Sequence, residues 1–105
     1  MKPKDNHIAS LIRDRIKSVD SNAQGIIFGS RARGDARKDS DWDILILTDY
    51  PVTIKVEDDF RDKLFELELE TSQILSIFLY QKSDWNTRHK ITPLYANIQE
   101  EGVIL

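Results

Sequence analysis

Hydrophobic and polar residues follow one another along the chain in blocks that have the periods of helices and strands. Between His7 and Asp20, apolar residues recur at the spacing of one helix face: Ile8, Leu11, Ile12, Ile16 and Val19. This spacing predicts an amphipathic helix, since charged residues fill the positions between them. Two apolar runs follow, Ile26–Phe28 and Trp42–Leu47, and we predict both as buried strands. The polar segment between them, from Ser30 to Asp41, is predicted as a loop or a short helix.

The second half of the chain continues this alternation. Apolar residues at i, i+4 and i+7 within Glu57–Glu70 favour a helix, although Phe65–Leu69 also alternates with period two. Ile74–Tyr80 is rich in β-branched and aromatic residues and is predicted as a third strand. Ser83–Asp84 is typical of a helix start, and Pro93–Glu101 is predicted as a final short helix. The order of these elements predicts an α/β or α+β domain around a small sheet.

Composition narrows the class of protein. With 105 residues, 40% of them hydrophobic and 31% charged, we expect one soluble globular domain over residues 1–105. The absence of cysteine excludes disulfides, thiolate zinc sites and a thiol nucleophile, so a metal would be a hard cation with oxygen ligands. A net charge of −3 argues against a protein that coats nucleic acid. We expect a cytoplasmic protein, because no apolar run reaches the ~20 residues of a membrane span and no signal peptide is recognisable.

Candidate chemistry is concentrated where the two buried strands flank the polar segment. Gly29 ends the first strand and allows a close approach, while Ser30 offers a hydroxyl and an N–H at a corner that suits a phosphate. Asp41 and Asp43 are two residues apart at the start of the second strand, so their side chains point to the same face. Two such carboxylates facing a phosphate corner are typical of a site for Mg²⁺ and a nucleotide.

Other phosphate-binding, metal-binding and catalytic motifs are excluded, because the residues that they require are missing. A P-loop needs Lys and then Ser or Thr after its second glycine, but Gly34 is followed by Asp35. The Asp39–Asp43 segment resembles the opening of an EF-hand, yet Ile44 stands where that loop requires Gly. The two histidines have no partner at zinc-ligand spacing, and no histidine is placed to activate Ser30.

The chain resembles the minimal nucleotidyltransferase family of the DNA polymerase beta superfamily in one motif. The motif consists of Gly29-Ser30, ten further residues, and Asp41-x-Asp43 before an aliphatic strand. The similarity includes Arg31-Ala32-Arg33-Gly34 and the closing segment from Thr92 to Gly102, and it covers essentially the whole chain. It implies a small mixed sheet with helices packed on it. The implied reaction moves a nucleotidyl group from a nucleoside triphosphate, ATP or another NTP, to a hydroxyl with loss of pyrophosphate.

The resemblance also implies a role for each matching residue. Ser30 would hold the terminal phosphates, Gly29 would permit their approach, and Asp41 with Asp43 would be catalytic and bind two Mg²⁺ ions. Arg31 and Arg33 are candidates for further phosphate contacts, since Arg suits phosphate, with a solvated surface as the equal alternative.

One element of the family pattern is missing. The family has a third carboxylate on a later strand, where it ligates a metal and helps to deprotonate the acceptor, but Gln73–Leu79 contains no acidic residue. Glu70, or Glu68, would replace it if the strand began earlier; otherwise both are solvated side chains. A base contributes about 10² to 10⁴ in rate, so we treat nucleotide binding and turnover as separate predictions.

Family members of this size imply a protein partner. They resemble one half of a pair with a HEPN-type protein, and some act as antitoxins that adenylylate a tyrosine of the toxin. The alternative is a nucleotide-binding protein of weak catalytic power that acts on its partner by contact. We expect no membrane, and no nucleic acid unless a partner supplies it.

Overall fold

The structure is a computed structural model that describes residues 1–105, and in it helices alternate with the strands of one sheet. The helices are α1 (Asn6–Val19), α2 (Ser30–Arg33), α3 (Ile54–Thr71), α4 (Lys82–Trp85) and α5 (Pro93–Glu101). The strands are β1 (Gln24–Phe28), β2 (Trp42–Thr48), β3 (Leu75–Gln81) and β4 (Val103–Ile104). None of the helices combines the length and the apolar character that crossing a membrane would need.

The four strands form one mixed sheet in the order β3-β2-β1-β4. β1 pairs antiparallel with both β2 and β4, whereas β2 and β3 run parallel. The parallel pair requires a crossover, and α3 provides it. The predicted fold class, a small mixed sheet with helices packed on it, is confirmed.

Apolar side chains cover both faces of the two central strands. One face packs against α1 and α3, in a cluster that includes Ile12, Ile16, Phe60, Leu64, Ile27, Ile44 and Ile46. The other face packs against α4 and α5, in a cluster of Ile26, Phe28, Leu45, Leu47, Trp85 and Ile98. This double burial explains why β2 shows a continuous apolar run rather than an alternating one.

The helical interpretation of Glu57–Glu70 is confirmed, because α3 is helical throughout and begins three residues earlier, at Ile54. The Thr53 hydroxyl accepts a hydrogen bond from the Val56 N–H and caps this start. The polar segment begins with the single turn of α2, which Gly34 ends with a φ of 85°. Sequence analysis did not predict β4, since two residues give no periodic signal and the strand forms by pairing with β1.

Arg31 lies on the buried side of α2 and is only 4% exposed. Its guanidinium donates to the Asp5 carboxylate over 3.2 Å and to the Ser40 carbonyl over 2.8 Å. It also stacks over the Trp42 ring, with its central carbon 5.0 Å from the ring centroid. Arg31 therefore joins the short 3-10 helix Pro3–Asp5, α2 and the segment that enters β2.

The Arg31→Leu substitution is expected to lower the free energy of unfolding by about 3–5 kcal/mol, because it leaves the buried Asp5 carboxylate without its charge partner. Urea denaturation measures this loss. Arg37→Leu is the control, since the Arg37 side chain is exposed and makes no hydrogen bond, and it should change stability by less than about 0.5 kcal/mol. Equal losses in both variants would contradict the structural role of Arg31.

Candidate active site

The candidate site is a corner at the edge of the sheet where β1 ends beside the start of β2. Phe28, the last residue of β1, pairs with Asp43. Gly29 follows with a φ of 74°, and a Cβ atom at this position would collide with the carboxylate of Asp43. Both the backbone angle and the space therefore require glycine at position 29, so that α2 can begin directly beside Asp43.

Two carboxylates and one hydroxyl at this corner have no partner within the chain. Asp41 is exposed immediately before β2, and Asp43 is half-buried within it. The hydrogen bonds and ion pairs of the structure include neither carboxylate and omit the Ser30 hydroxyl as well. All three groups are consequently available to a ligand.

The electrostatics of Asp43 reflect its crowded surroundings. Burial is the largest cause that raises the pKa of Asp43 above its ordinary value, and the negative charges of Asp41 and Glu101 raise it further. The positive charge of Arg33 opposes them. A bound cation would relieve the repulsion between these carboxylates, so the corner favours cations over anions in the absence of a metal.

The structure adds Glu101, which sequence analysis missed, to this corner. The Gly29 N–H donates to Glu101 Oε1 over 3.0 Å, and Arg33 Nη1 donates to Glu101 Oε2 over 3.2 Å. Arg33 also donates through Nε to Asp35, and both carboxylates raise the pKa of Arg33. The only sequence signal for Glu101 is its place directly before Gly102, where the final predicted helix ends.

The two candidate arginines occupy different surroundings. Arg33 lies at the corner with its side chain 48% exposed, whereas Arg31 is buried behind α2 in the contacts described above. Residues two apart on a helix point about 200° apart, so a single turn cannot present both to the same ligand. The structure thus brings Gly29, Ser30, Arg33, Asp41 and Asp43 together and leaves Arg31 out.

The strand beside β2 carries no acidic side chain. Ser76 of β3 lies opposite Asp43 in the parallel register. Glu70 is held by Arg15 through two contacts of 2.7 Å on α3, and Glu68 accepts the Leu75 N–H over 3.1 Å. Neither glutamate takes the place of the missing acid, and no group of three His, Cys, Asp or Glu side chains is placed to hold a metal ion.

The corner is open to solvent. Two surface pockets lie between α1 and α3, one of them beside Tyr50, and a third lies between α1 and the residues Ile104 and Leu105. None of them includes Ser30, Asp41 or Asp43.

The chain is similar to known proteins in sequence and in fold. A family model described as a nucleotidyltransferase domain matches residues 9–105. Among solved structures, a toxin-antitoxin with AMP-PNP is 20% identical, with a TM-score of 0.59 over 95% of this chain and 70% of that chain. The MntA-HpeT toxin-antitoxin, as a mutant with two aspartates changed to glutamate, is 17% identical with the same TM-score and coverage. No protein of curated function matches the chain.

The Asp43→Asn substitution is expected to raise the melting temperature at pH 7 in metal-free buffer. The raised pKa means that the folded state binds the Asp43 proton more tightly, so ionisation of Asp43 destabilises the fold as the pH rises through that pKa. The difference between Asp43→Asn and the wild type should vanish below about pH 3.9, where the carboxyl is neutral in both states. Thermal unfolding between pH 3 and 8 measures it.

Asp39→Asn is the control for this series, since Asp39 is exposed and makes no side-chain hydrogen bond or ion pair. A rise in melting temperature that is equal for Asp39→Asn and Asp43→Asn would contradict the prediction, because it would reflect net charge alone.

Proposed function

Because the chain belongs to the nucleotidyltransferase domain family, we propose that it moves AMP from ATP to the hydroxyl of an acceptor. The family match confirms the enzyme class that the sequence predicted. The observation that carries the proposal is the pair of carboxylates without partners, Asp41 and Asp43, beside the Gly29-Ser30 corner. Both halves of one mechanism, metal ligands and a phosphate corner, are thereby adjacent.

The donor set at the corner fits magnesium. Asp41 and Asp43 supply oxygen ligands with free lone pairs, and burial together with the negative charge of Asp41 raises the pKa of Asp43. Mg²⁺ prefers one or two carboxylates together with phosphate oxygens and water, which agrees with two acids and no third. When bound, two such ions stabilise the charge on the attacking and leaving oxygens.

The chain's own residues would bind and orient the triphosphate. In the proposed reaction, the acceptor oxygen bonds to the α-phosphorus, the bond to the oxygen bridging the β-phosphate breaks, and pyrophosphate leaves. The Ser30 hydroxyl and the unpaired Nη2 of Arg33 would donate hydrogen bonds to the terminal phosphates. The acceptor proton passes to solvent, since β3 presents Ser76 rather than a carboxylate opposite Asp43.

We propose that the acceptor is a tyrosine on a HEPN-type toxin and that the chain acts as its antitoxin. The toxin-antitoxin structures of similar fold, one of them with AMP-PNP, support a protein partner and an ATP-like nucleotide. The open corner supports the same conclusion, because the chain leaves the acceptor side uncovered.

Incubation of the protein with α-labelled ATP, Mg²⁺ and an extract of its host tests this function. We expect a labelled acceptor protein with the wild type and with Asp39→Asn. With Asp43→Asn, labelling should fall by roughly 10²-fold or more, the scale of removing one group that stabilises transition-state charge. Equal labelling by Asp43→Asn and Asp39→Asn would contradict the proposed reaction.

The presence of Ser76, rather than an acidic residue, opposite Asp43 favours a second candidate function. Without an acid at this position, the protein would bind the nucleotide and act on its partner by contact, with little turnover. A melting temperature that Mg²⁺ and ATP raise, together with no labelled acceptor, would support this candidate over the first.

The Ser76→Asp substitution is expected to raise the rate of nucleotidyl transfer by about 10² to 10⁴, because it places a carboxylate opposite Asp43 where a base can act. Labelled transfer to the partner measures the rate. Ser76→Asn is the matched control, since the Asn side chain has nearly the same shape as Asp but cannot accept the proton of the acceptor hydroxyl. Equal rates in the two variants would contradict a catalytic role for an acid at this position.

A further inference from the structure

The carboxylate of Glu101 contacts both the Gly29 amide and the Arg33 side chain, two groups whose residues are otherwise joined by the hydrogen bond from the Arg33 N–H to the Gly29 carbonyl. One oxygen accepts the Gly29 N–H over 3.0 Å, and the other accepts from Arg33 Nη1 over 3.2 Å. Gly29 is the residue that lets the backbone pass the Asp43 carboxylate, and Arg33 is the one arginine of the segment that faces the corner. The Glu101 side chain therefore contacts both the backbone turn at Gly29 and the guanidinium of Arg33.

The backbone that follows Glu101 packs closely against α5 and β1. Gly102 follows directly, and a Cβ at this position would clash with the Ile98 carbonyl and with the Ile26 side chain. The next residue, Val103, pairs with Ile27 of β1. The Glu101 side chain is 23% exposed, so its contacts are those of a constrained group rather than of a mobile surface residue.

The contacts of Arg33 leave one edge of its guanidinium free. Nε donates to Asp35 over 3.2 Å and Nη1 donates to Glu101, while Nη2 has no acceptor. A planar guanidinium that is held through two nitrogens has a restricted orientation. Nη2 can therefore bind a ligand with little further loss of side-chain entropy.

We propose that Glu101 is a positioning residue for nucleotide binding, which acts by holding the Gly29 amide and the Arg33 guanidinium in place. This role rests on the proposed function. Glu101 raises the pKa of Asp43 and adds negative charge at a corner that would receive a triphosphate. Its charge therefore opposes direct attraction of the nucleotide, and its benefit lies in the two hydrogen bonds that it accepts.

The test compares Glu101→Ala and Glu101→Gln with Glu100→Ala, the control at the neighbouring exposed glutamate, which makes no hydrogen bond. Hydrogen exchange of the Gly29 amide reports the contact without any turnover. We expect Glu101→Ala to speed this exchange about tenfold, equivalent to about 1.4 kcal/mol. Glu101→Gln should restore protection, because its amide oxygen can accept the same N–H.

Binding of Mg²⁺ and ATP, followed by calorimetry, reports the effect on the corner. Glu101→Ala should weaken binding about tenfold, or about 1.4 kcal/mol, while Glu101→Gln and Glu100→Ala stay within about threefold of the wild type. Rescue by Gln separates positioning from a need for the charge itself.

The outcomes distinguish the two proposals. Failure of the wild type to bind Mg²⁺ and ATP would contradict the proposed function itself. If the wild type binds, unchanged affinity in Glu101→Ala would overturn the positioning role alone. Tighter binding in Glu101→Ala would also overturn it, and would show that the Glu101 carboxylate competes with phosphate for Gly29 and Arg33.

Discussion

The pairing of Phe28 with Asp43 is the constraint on which the rest of the corner depends. It sets the end of β1 against the start of β2, so that Gly29 has to pass the Asp43 carboxylate without a side chain. The same register places Asp41 and Asp43 beside Ser30. A shift by one residue would turn Asp43 towards α1 and α3, into an apolar layer. The cores on both faces of the sheet oppose such a shift, since each central strand has buried apolar side chains on both sides.

Charge at the corner is arranged in two zones with opposite consequences. In the buried zone, Arg31 and Asp5 neutralise each other and hold the chain behind α2. In the open zone, Asp41, Asp43 and Glu101 outnumber Arg33, which pairs with Glu101 and leaves the two aspartates without a partner. The buried pair holds the segment behind α2 in place, whereas the open zone keeps a surplus of negative charge. This division follows from the single turn of α2, which sends Arg31 and Arg33 in different directions.

The sequence predicted those parts of the molecule that depend on local order. The end of β1 before Gly29-Ser30 and the strand that follows Asp41 were both recognisable from short local runs of apolar residues. The roles of Arg31 and Arg33 could not be separated, since the segment was predicted as either a loop or a short helix and the direction of each side chain depends on that choice. The place of Ser76 opposite Asp43 follows from a parallel register that α3 sets over 33 positions of sequence. Glu101 reaches Gly29 across 72 positions, and no local pattern reports such a contact.

The two-residue strand β4 has a consequence for motion at the corner. So short an element has few hydrogen bonds to break, and it belongs to the part of a fold that opens locally at low cost while the central strands stay intact. Each opening of β4 would loosen the end of α5 and with it Glu101, but would leave Asp43 anchored within β2. During such an opening Gly29 and Arg33 would lose their contacts with Glu101, while Asp43 would keep its place in the central pair of strands.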